Sequence, residues 1–356
     1  MDRSKLRLDR RAILKSSLTA AAIVAPSVIV RPARAAGQIT VADYGGVGGE
    51  ALRYAFYDPF EKETGVKVIS VAHDPDPTTQ LRVLVDTKSY VWDVLMLSLT
   101  NIAKLGAAEK YLEPLSIDPA EGTDLIPDMV RPLWLGVSVY AVLMAYRADR
   151  FGSNPPKSWA DFWNVKDFPG RRALFREPDG LIEQALMADG VAPRDLYPLD
   201  VERAFRALDR IKPHINVWWS TGAQITQILQ NGEVDIAGTW ASRAFAAADS
   251  GAPVKLAWSQ GTYNVDGFGI LKGTPRHEIA RQFIKFCLDA KRQAAYSSKV
   301  INGPTNKRAY EHLSAERAAL LPTSPNNLPG LQLVDTVWWG QNKDRIAQRF
   351  QEWLLR

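Results

Sequence analysis

Cysteine is nearly absent from this sequence of 356 residues, in which Cys287 is the only thiol. One cysteine cannot form an intramolecular disulfide, and it excludes thiol-rich metal centres and dithiol redox motifs. Its apolar neighbours Ile284, Phe286 and Leu288 favour the interpretation of Cys287 as a small buried residue on a helix. Stability must therefore come from an apolar core, and 46% of the residues are hydrophobic.

Recognised catalytic motifs are also missing from the sequence. The four histidines, His73, His214, His277 and His312, lie too far apart for the close spacing of metal-binding motifs. Neither a G-x-S-x-G nucleophile motif nor a P-loop occurs. Carboxylates are abundant, but none belongs to a motif that identifies an acid/base pair. The sequence therefore predicts a binding protein without a metal or a cofactor, and not an enzyme.

The formal net charge of +5 comes from the first 36 residues, which hold eight lysines and arginines against two aspartates. The rest of the chain has 36 basic and 37 acidic residues, so it carries almost no net charge. This balance argues against a nucleic-acid partner. No later segment approaches the roughly 20 consecutive apolar residues that a membrane span needs.

The first residues have the pattern of an export signal. A basic region up to Lys15 precedes an apolar stretch over 16–30, and Ala33-Arg34-Ala35 fits a cleavage site near Ala35. The pair Arg10-Arg11, followed by Ala12-Ile13-Leu14-Lys15, is typical of a twin-arginine leader. An ordinary signal peptide with a chance arginine pair is the alternative. Both interpretations predict a periplasmic protein.

Strand and helix patterns alternate along the rest of the chain. Strands over 39–42 and 66–71 flank a helix over 50–63, which together make a βαβ unit. Farther along, separate strands are predicted over 254–258 and 267–271. The alternation implies parallel α/β sheets, and the length without a long linker favours two α/β lobes.

A glycine-rich loop follows the first predicted strand. Gly46-Val47-Gly48-Gly49-Glu50-Ala51 matches the G-x-G-x-x-A form of the dinucleotide fingerprint, and Asp74 lies near the end of the next strand. One hypothesis is therefore a nucleotide-dependent oxidoreductase exported by the twin-arginine route, although Glu50 would repel a pyrophosphate. The alternatives are that the loop contacts a small ligand at a helix N-terminus or that it is a purely structural turn.

Two later residues suggest the chemistry of a ligand. Trp240 ends a predicted strand, and strand ends in an open α/β sheet face the ligand crevice. An aromatic wall there suits an alkyl chain or an ammonium group. Asp266 directly precedes the apolar strand over 267–271, where a partly desolvated carboxylate would favour a cationic ligand.

Several segments, in order from about residue 39 to the C-terminus, carry a resemblance to a known family. They are Tyr44-Gly45-Gly46, the segments 59–68, 90–94 and 158–163, Asn231-Gly232-Glu233-Val234-Asp235, Trp240, the segment 266–270, and Gly303-Pro304-Thr305-Asn306. With these segments the chain resembles the substrate-binding proteins of ABC importers, specifically the spermidine/putrescine-binding branch. The resemblance implies the type II periplasmic binding protein fold, in which two Rossmann-like α/β lobes are joined by crossing hinge strands and close on a solute.

The same resemblance implies a domain plan and a set of partners. A twin-arginine-type signal peptide would occupy residues 1–35. Lobe I would comprise residues 37–140 and 266–302, and lobe II would comprise residues 141–265 and 303–356. The mature protein would be a monomer that hands a small-molecule solute to an ABC permease in the inner membrane.

The resemblance also implies a set of ligand-binding residues. By position, Asp266 matches the family's acidic residue, Trp240 matches its stacking tryptophan, and Glu177 falls near another acidic site. The complete predicted set is Asp43, Tyr44, Gly45, Gly46, Ser98, Thr100, Glu177, Asp179, Ser220, Thr221, Trp240, Tyr263 and Asp266.

The expected ligand is a polyamine such as putrescine or spermidine, with an opine or an amino-acid derivative as the alternative. Three positions depart from the polyamine pattern. Arg176 stands where an acid is expected, Asn264 replaces an aromatic residue, and Thr100 stands where a tyrosine is common. A ferric-ion binder of this architecture would want paired tyrosines, and the sequence has no Tyr-Tyr pair.

Overall fold

The computed structural model describes residues 37–74 and 76–356. The predicted leader and its cleavage site lie outside these residues. None of the helices in the described part of the chain combines the length and the apolar character that a bilayer crossing requires.

The strands of the described residues are mostly short, apart from two long ones near the middle of the sheet. They are β1 (Gln38–Asp43), β2 (Lys67–Ala72), β3 (Val94–Ser98), β4 (Leu112–Glu113), β5 (Val130–Arg131), β6 (Trp134–Arg147), β7 (Arg172–Phe175), β8 (Ile215–Trp219), β9 (Ile236–Trp240), β10 (Val254–Leu271), β11 (Gly303–Pro304) and β12 (Leu331–Leu333).

The α-helices alternate with these strands. They are α1 (Gly46–Leu52), α2 (Asp58–Thr64), α3 (Thr78–Asp86), α4 (Leu99–Leu105), α5 (Ala148–Phe151), α6 (Trp159–Trp163), α7 (Leu181–Ala188), α8 (Val201–Ile211), α9 (Gly222–Gln230), α10 (Ala241–Asp249), α11 (His277–Phe286), α12 (Ala290–Lys299), α13 (Ala315–Ala319) and α14 (Thr336–Leu354). A π-helical segment, Arg53–Tyr57, joins α1 to α2, so the helix predicted over 50–63 is composite.

A continuous hydrogen-bonded sheet has the strand order β2-β1-β3-β10-β6-β9-β7-β8. At one end β1 pairs in parallel with β2 and β3, and at the other end β7 pairs in parallel with β8 and β9. The long strands β10 and β6 run antiparallel to each other and to their outer neighbours. The parallel ends form two α/β lobes, lobe I with β1–β3 and lobe II with β7–β9, joined by shared strands. This confirms the predicted fold class.

Strand β10 is a single strand of 18 residues, whereas the sequence predicts two strands over 254–258 and 267–271. Its register against β6 shifts midway along the pair, where the ladder is irregular. The intervening residues Thr262, Asn264 and Asp266 are polar but buried. Their polarity hides the strand from a hydropathy pattern, since a buried strand is expected to be apolar.

Each lobe has its own apolar core. In lobe I, the ring of Phe283 packs against those of Phe60 and Phe268, with centroids 5.4 and 5.5 Å away. In lobe II, the C-terminal helix α14 contributes Trp339 and Phe350, both almost fully buried. Burying such a side chain contributes about 1.5–3 kcal/mol, so these cores stabilise a fold that has no disulfide.

Candidate ligand-binding cleft

The carboxyl ends of parallel strands from both lobes line a cleft of about 830 Å³. Lobe I contributes residues that follow β1, β2 and β3, and lobe II contributes residues that follow β7, β8 and β9. The long strands β6 and β10 add side chains from their middle sections. Strand ends of this kind are where open α/β sheets bind ligands, and small-molecule sites measure about 300–1,000 Å³.

Asp266 is the most deeply buried carboxylate of the cleft. It lies on β10 between Ser98 of β3 and Ser138 of β6, and it is only 7% exposed. Burial raises the pKa of its carboxyl to about 7, although a hydrogen bond from the Tyr44 hydroxyl, 3.1 Å from Oδ1, opposes the shift. An empty cleft therefore disfavours the ionised form, which a cationic group on a ligand would stabilise.

The polar groups on the lobe I side are held in place by local hydrogen bonds. Ser98 caps α4 because its Oγ accepts from the Asn101 amide at 3.1 Å, while Asn101 Oδ1 accepts from the Ser98 amide at 2.9 Å. Asn264 of β10 donates from Nδ2 to Thr100 Oγ1 at 2.9 Å. Little reorganisation is then needed when a ligand enters this side.

Three aromatic rings cluster at the ends of β7, β8 and β9. Phe175 stacks on Trp219, with centroids 4.4 Å apart, and Trp240 lies 5.2 Å from Phe175 and 5.0 Å from Trp219. Trp219 is almost fully buried and donates its indole N–H to the Gly238 carbonyl at 3.0 Å. It therefore supports the other two rings, which are partly exposed and give the cleft an apolar wall for an alkyl chain.

Arg243 supplies a positive charge to the lobe II side of the cleft. It lies on α10, three residues after Trp240, and its Nε is buried with no hydrogen-bond partner among residues 37–74 and 76–356. A Cβ at Gly222, the first residue of α9, would lie 2.8 Å from Arg243 Cζ. The guanidinium thus packs directly on helix backbone, and its donors suit a carboxylate.

A second charged group on the same side forms an ion pair. Asp179, just before α7, accepts a hydrogen bond from Lys343 of α14, with Oδ2 and Nζ 2.7 Å apart. Glu177 lies nearby, and partial loss of hydration, together with the charge of Asp179, raises the pKa of its carboxyl. The three side chains make lobe II a mixed-charge surface.

Most of the predicted site residues lie in this cleft. Those that line it are Tyr44, Ser98, Thr100, Glu177, Asp179, Ser220, Thr221, Trp240, Tyr263 and Asp266. Each of them sits at a strand end or on β10, as the argument from sheet geometry predicts.

Asp43, Gly45 and Gly46 do not line the cleft, which corrects the expected position of the glycine loop. Asp43 is fully buried and accepts hydrogen bonds from the Gly45 amide at 2.7 Å and from the hydroxyls of Tyr57 and Ser70 at 2.9 Å. Gly45 and Gly46 have φ of +65° and +56°, a conformation that glycine adopts without strain. In this structure the loop is a turn that orients Tyr44.

Several lining residues were not predicted from the sequence. They include Asp74, Asn101, Tyr140, Gln184, Arg243, Asn302, Trp339 and Lys343. A signal existed for Arg243, since it lies in the first turn of the helix that follows the Trp240 strand end. No local signal could have found Lys343, because 164 residues separate it from Asp179.

Two α/β lobes around a ligand-sized cleft are typical of the substrate-binding proteins of ABC transporters. The chain belongs to the family of bacterial extracellular solute-binding proteins, whose family model matches residues 55–323. It is therefore a binding protein and not the oxidoreductase considered as an alternative.

Individual relatives agree on the class but differ in the ligand that their names give. The chain is 33% identical over 326 residues to a gamma-aminobutyric acid-binding protein of Pseudomonas aeruginosa, covering 89% of this chain and 91% of the relative. It is 27% identical over 279 residues to the spermidine/putrescine-binding periplasmic protein of Escherichia coli, covering 73% of this chain and 76% of that relative. The structure of an ABC transporter substrate-binding protein from Bradyrhizobium japonicum is similar, with a TM-score of 0.83, 35% identity and coverage of 90% and 100%. The predicted family is confirmed, and polyamine is not singled out.

Proposed function

We propose that this protein is the periplasmic solute-binding component of an ABC importer and that its solute carries both an ammonium group and a carboxylate. In this proposal the twin-arginine-type leader directs export and is cleaved near Ala35. The mature monomer captures one solute between lobe I (37–140 and 266–302) and lobe II (141–265 and 303–356). Closure of the lobes presents the loaded protein to the permease.

The observation that carries the ligand class is that one cleft is lined by both an acidic and a basic side chain, Asp266 and Arg243. Asp266 of lobe I lies on β10 opposite Ser98 of β3, and Arg243 lies on α10 of lobe II. A solute with an ammonium at one end and a carboxylate at the other would satisfy both groups and link the lobes. The aromatic wall of Phe175 and Trp240 would cover the carbon chain between the two ends.

A polyamine is the second candidate, because acids outnumber bases in the cleft. Asp74 and Glu177 both line it in addition to Asp266, and both are exposed to solvent. Arg243 in the same cleft would nevertheless repel a second ammonium, because like charges repel. The gamma-aminobutyric acid-binding relative, at the higher identity, also supports a solute that has a carboxylate.

Titration calorimetry with matched probes tests the ligand class. We expect 4-aminobutanoate to bind more tightly than putrescine, which has the same four-carbon chain, and neutral 1,4-butanediol to give no heat. Arg243→Gln should weaken 4-aminobutanoate binding about ten- to a hundredfold, since a hydrogen bond to a charged group contributes about 1.5–3 kcal/mol. The exposed Arg206→Gln on α8 removes the same charge outside the cleft and should have no effect.

A polyamine as the solute predicts a different calorimetric result. Tight binding of putrescine or spermidine by the wild-type protein, without heat from 4-aminobutanoate and without an effect of Arg243→Gln, would replace the proposed solute by a polyamine. The solute-binding family would be unaffected.

A further inference from the structure

The ion pair between Lys343 and Asp179 joins the C-terminal helix to the wall of the cleft. Lys343 lies on α14, and Asp179 lies in the short segment between β7 and α7. Both residues line the cleft, so the pair is part of the surface that a solute meets. Lys343 engages only Oδ2, and within the described residues the buried Oδ1 has no hydrogen-bond partner. Lys343 therefore satisfies one oxygen of Asp179 and leaves the other without a donor from these residues.

The charge of Lys343 changes what Asp179 can offer to a solute. Burial, the largest single influence, lowers the pKa of the Lys343 ammonium, but the charge and hydrogen bond of Asp179, together with the charge of Asp76, outweigh burial and raise it. Lys343 is thus held in its charged form and neutralises the carboxylate. Without it, lobe II would present two adjacent acids, Glu177 and Asp179, toward the cleft.

We propose that Lys343 is a specificity-determining residue, which masks Asp179 and thereby prevents lobe II from accepting the second ammonium of a diamine. This inference rests on the proposed function, since it explains how an acid-rich cleft selects a solute with one ammonium. Arg243 attracts the carboxylate end, and Lys343 neutralises an acid of the same cleft that would otherwise attract an amine.

A purely structural role for the pair makes a different prediction. If Lys343 only anchors α14 to lobe II, its removal should lower the stability and weaken all solutes alike. If it masks Asp179, its removal should change the ratio of affinities for two solutes that differ only at one end. The ratio for putrescine and 4-aminobutanoate therefore separates the two roles.

The experiment uses Lys343→Met, which keeps the length of the side chain and removes its charge. We expect putrescine to bind this variant about ten- to a hundredfold more tightly than it binds the wild-type protein. This is the range that one charge-assisted hydrogen bond contributes. Lys343→Arg retains the charge and should behave like the wild type. The double variant Lys343→Met/Asp179→Asn should lose the gain, because the unmasked acid is then absent.

Thermal unfolding of every variant accompanies the titrations, and Lys343→Gln, which can still donate to Asp179, replaces Lys343→Met if the latter does not fold. Unchanged putrescine affinity in a folded, uncharged variant would overturn the inference, as would an equal gain in the double variant. Failure of the proposed function has a separate signature, because it is seen in the wild-type protein as tight putrescine binding before any residue is changed.

Discussion

Replacing Asp266 by asparagine should stabilise the empty protein and weaken its binding of an ammonium group. The carboxyl is 7% exposed, and its hydrogen bond from Tyr44 does not offset the loss of hydration. Asparagine keeps the oxygen that accepts from Tyr44 but has no charge to bury. Stability and binding should therefore move in opposite directions, which a residue with a purely structural role would not show.

The magnitude follows from the pKa of Asp266, about 7 against an ordinary value of 3.8. The difference is worth about 4 kcal/mol when the carboxyl is ionised, since one pKa unit is about 1.36 kcal/mol. The unfolded chain loses this proton at a lower pH than the folded chain does. The contribution of Asp266 to the free energy of unfolding of the wild type is therefore fully present below about pH 4, and it is lost as the pH rises through about 7.

Urea unfolding of the ligand-free proteins at about pH 4 and about pH 8 measures this difference. Asp266→Asn should match the wild type at the lower pH and exceed it by up to about 4 kcal/mol at the higher pH. The control is Asp86→Asn at the exposed end of α3, which removes one negative charge from the surface and should show no such change.

Binding gives the second half of the same prediction. Asp266→Asn should weaken 4-aminobutanoate binding at about pH 8 by about ten- to a hundredfold. Wild-type affinity should fall by about tenfold for each pH unit below about 7, because the ammonium needs the ionised carboxylate. A variant that is less stable at pH 8 and binds with unchanged affinity would refute the reasoning.

Two further predictions concern Gly222 and Glu183. Gly222→Ala should weaken 4-aminobutanoate binding about tenfold with little change in melting temperature, because the new Cβ would displace the flexible guanidinium of Arg243. Gly48→Ala on α1, where a Cβ meets nothing within 4 Å, is its control, and equal affinities for both variants would contradict the expectation. Burial raises the pKa of Glu183 to about 7, although Tyr197 and Trp339 donate hydrogen bonds to Oε1. The contribution of this carboxyl to the wild-type free energy of unfolding is therefore lost as the pH rises from about 4.5 to about 7. Glu183→Gln should reduce that pH dependence and raise the free energy of unfolding at pH 8 by up to about 3 kcal/mol. If urea unfolding gives the variant the same pH dependence as the wild type, this expectation is wrong.

Local patterns in the sequence pointed to two residues of the cleft, Trp240 and Asp266, and the family resemblance implied the others. Trp240 could be placed at a strand end because a short apolar run stops there, and strand ends of parallel sheets gather at one edge. Asp266 stood out because a carboxylate next to the apolar strand over 267–271 demands a partner. Asp43 was misplaced because a strand buried on both faces lacks the alternation that reports which way a side chain points.

The sequence by itself determined the α/β alternation, the two lobes and the position of the strand ends, since these follow from periodic burial and short-range chain geometry. Only the tertiary structure decided which charges share the cleft. Lys343 binds Asp179, which lies 164 residues earlier in the chain. Arg243 of α10 packs against Gly222 of α9, and its Nε has no hydrogen-bond partner among the described residues. Charge interactions act through space, so the balance of charge in the cleft becomes visible only when distant segments are brought together.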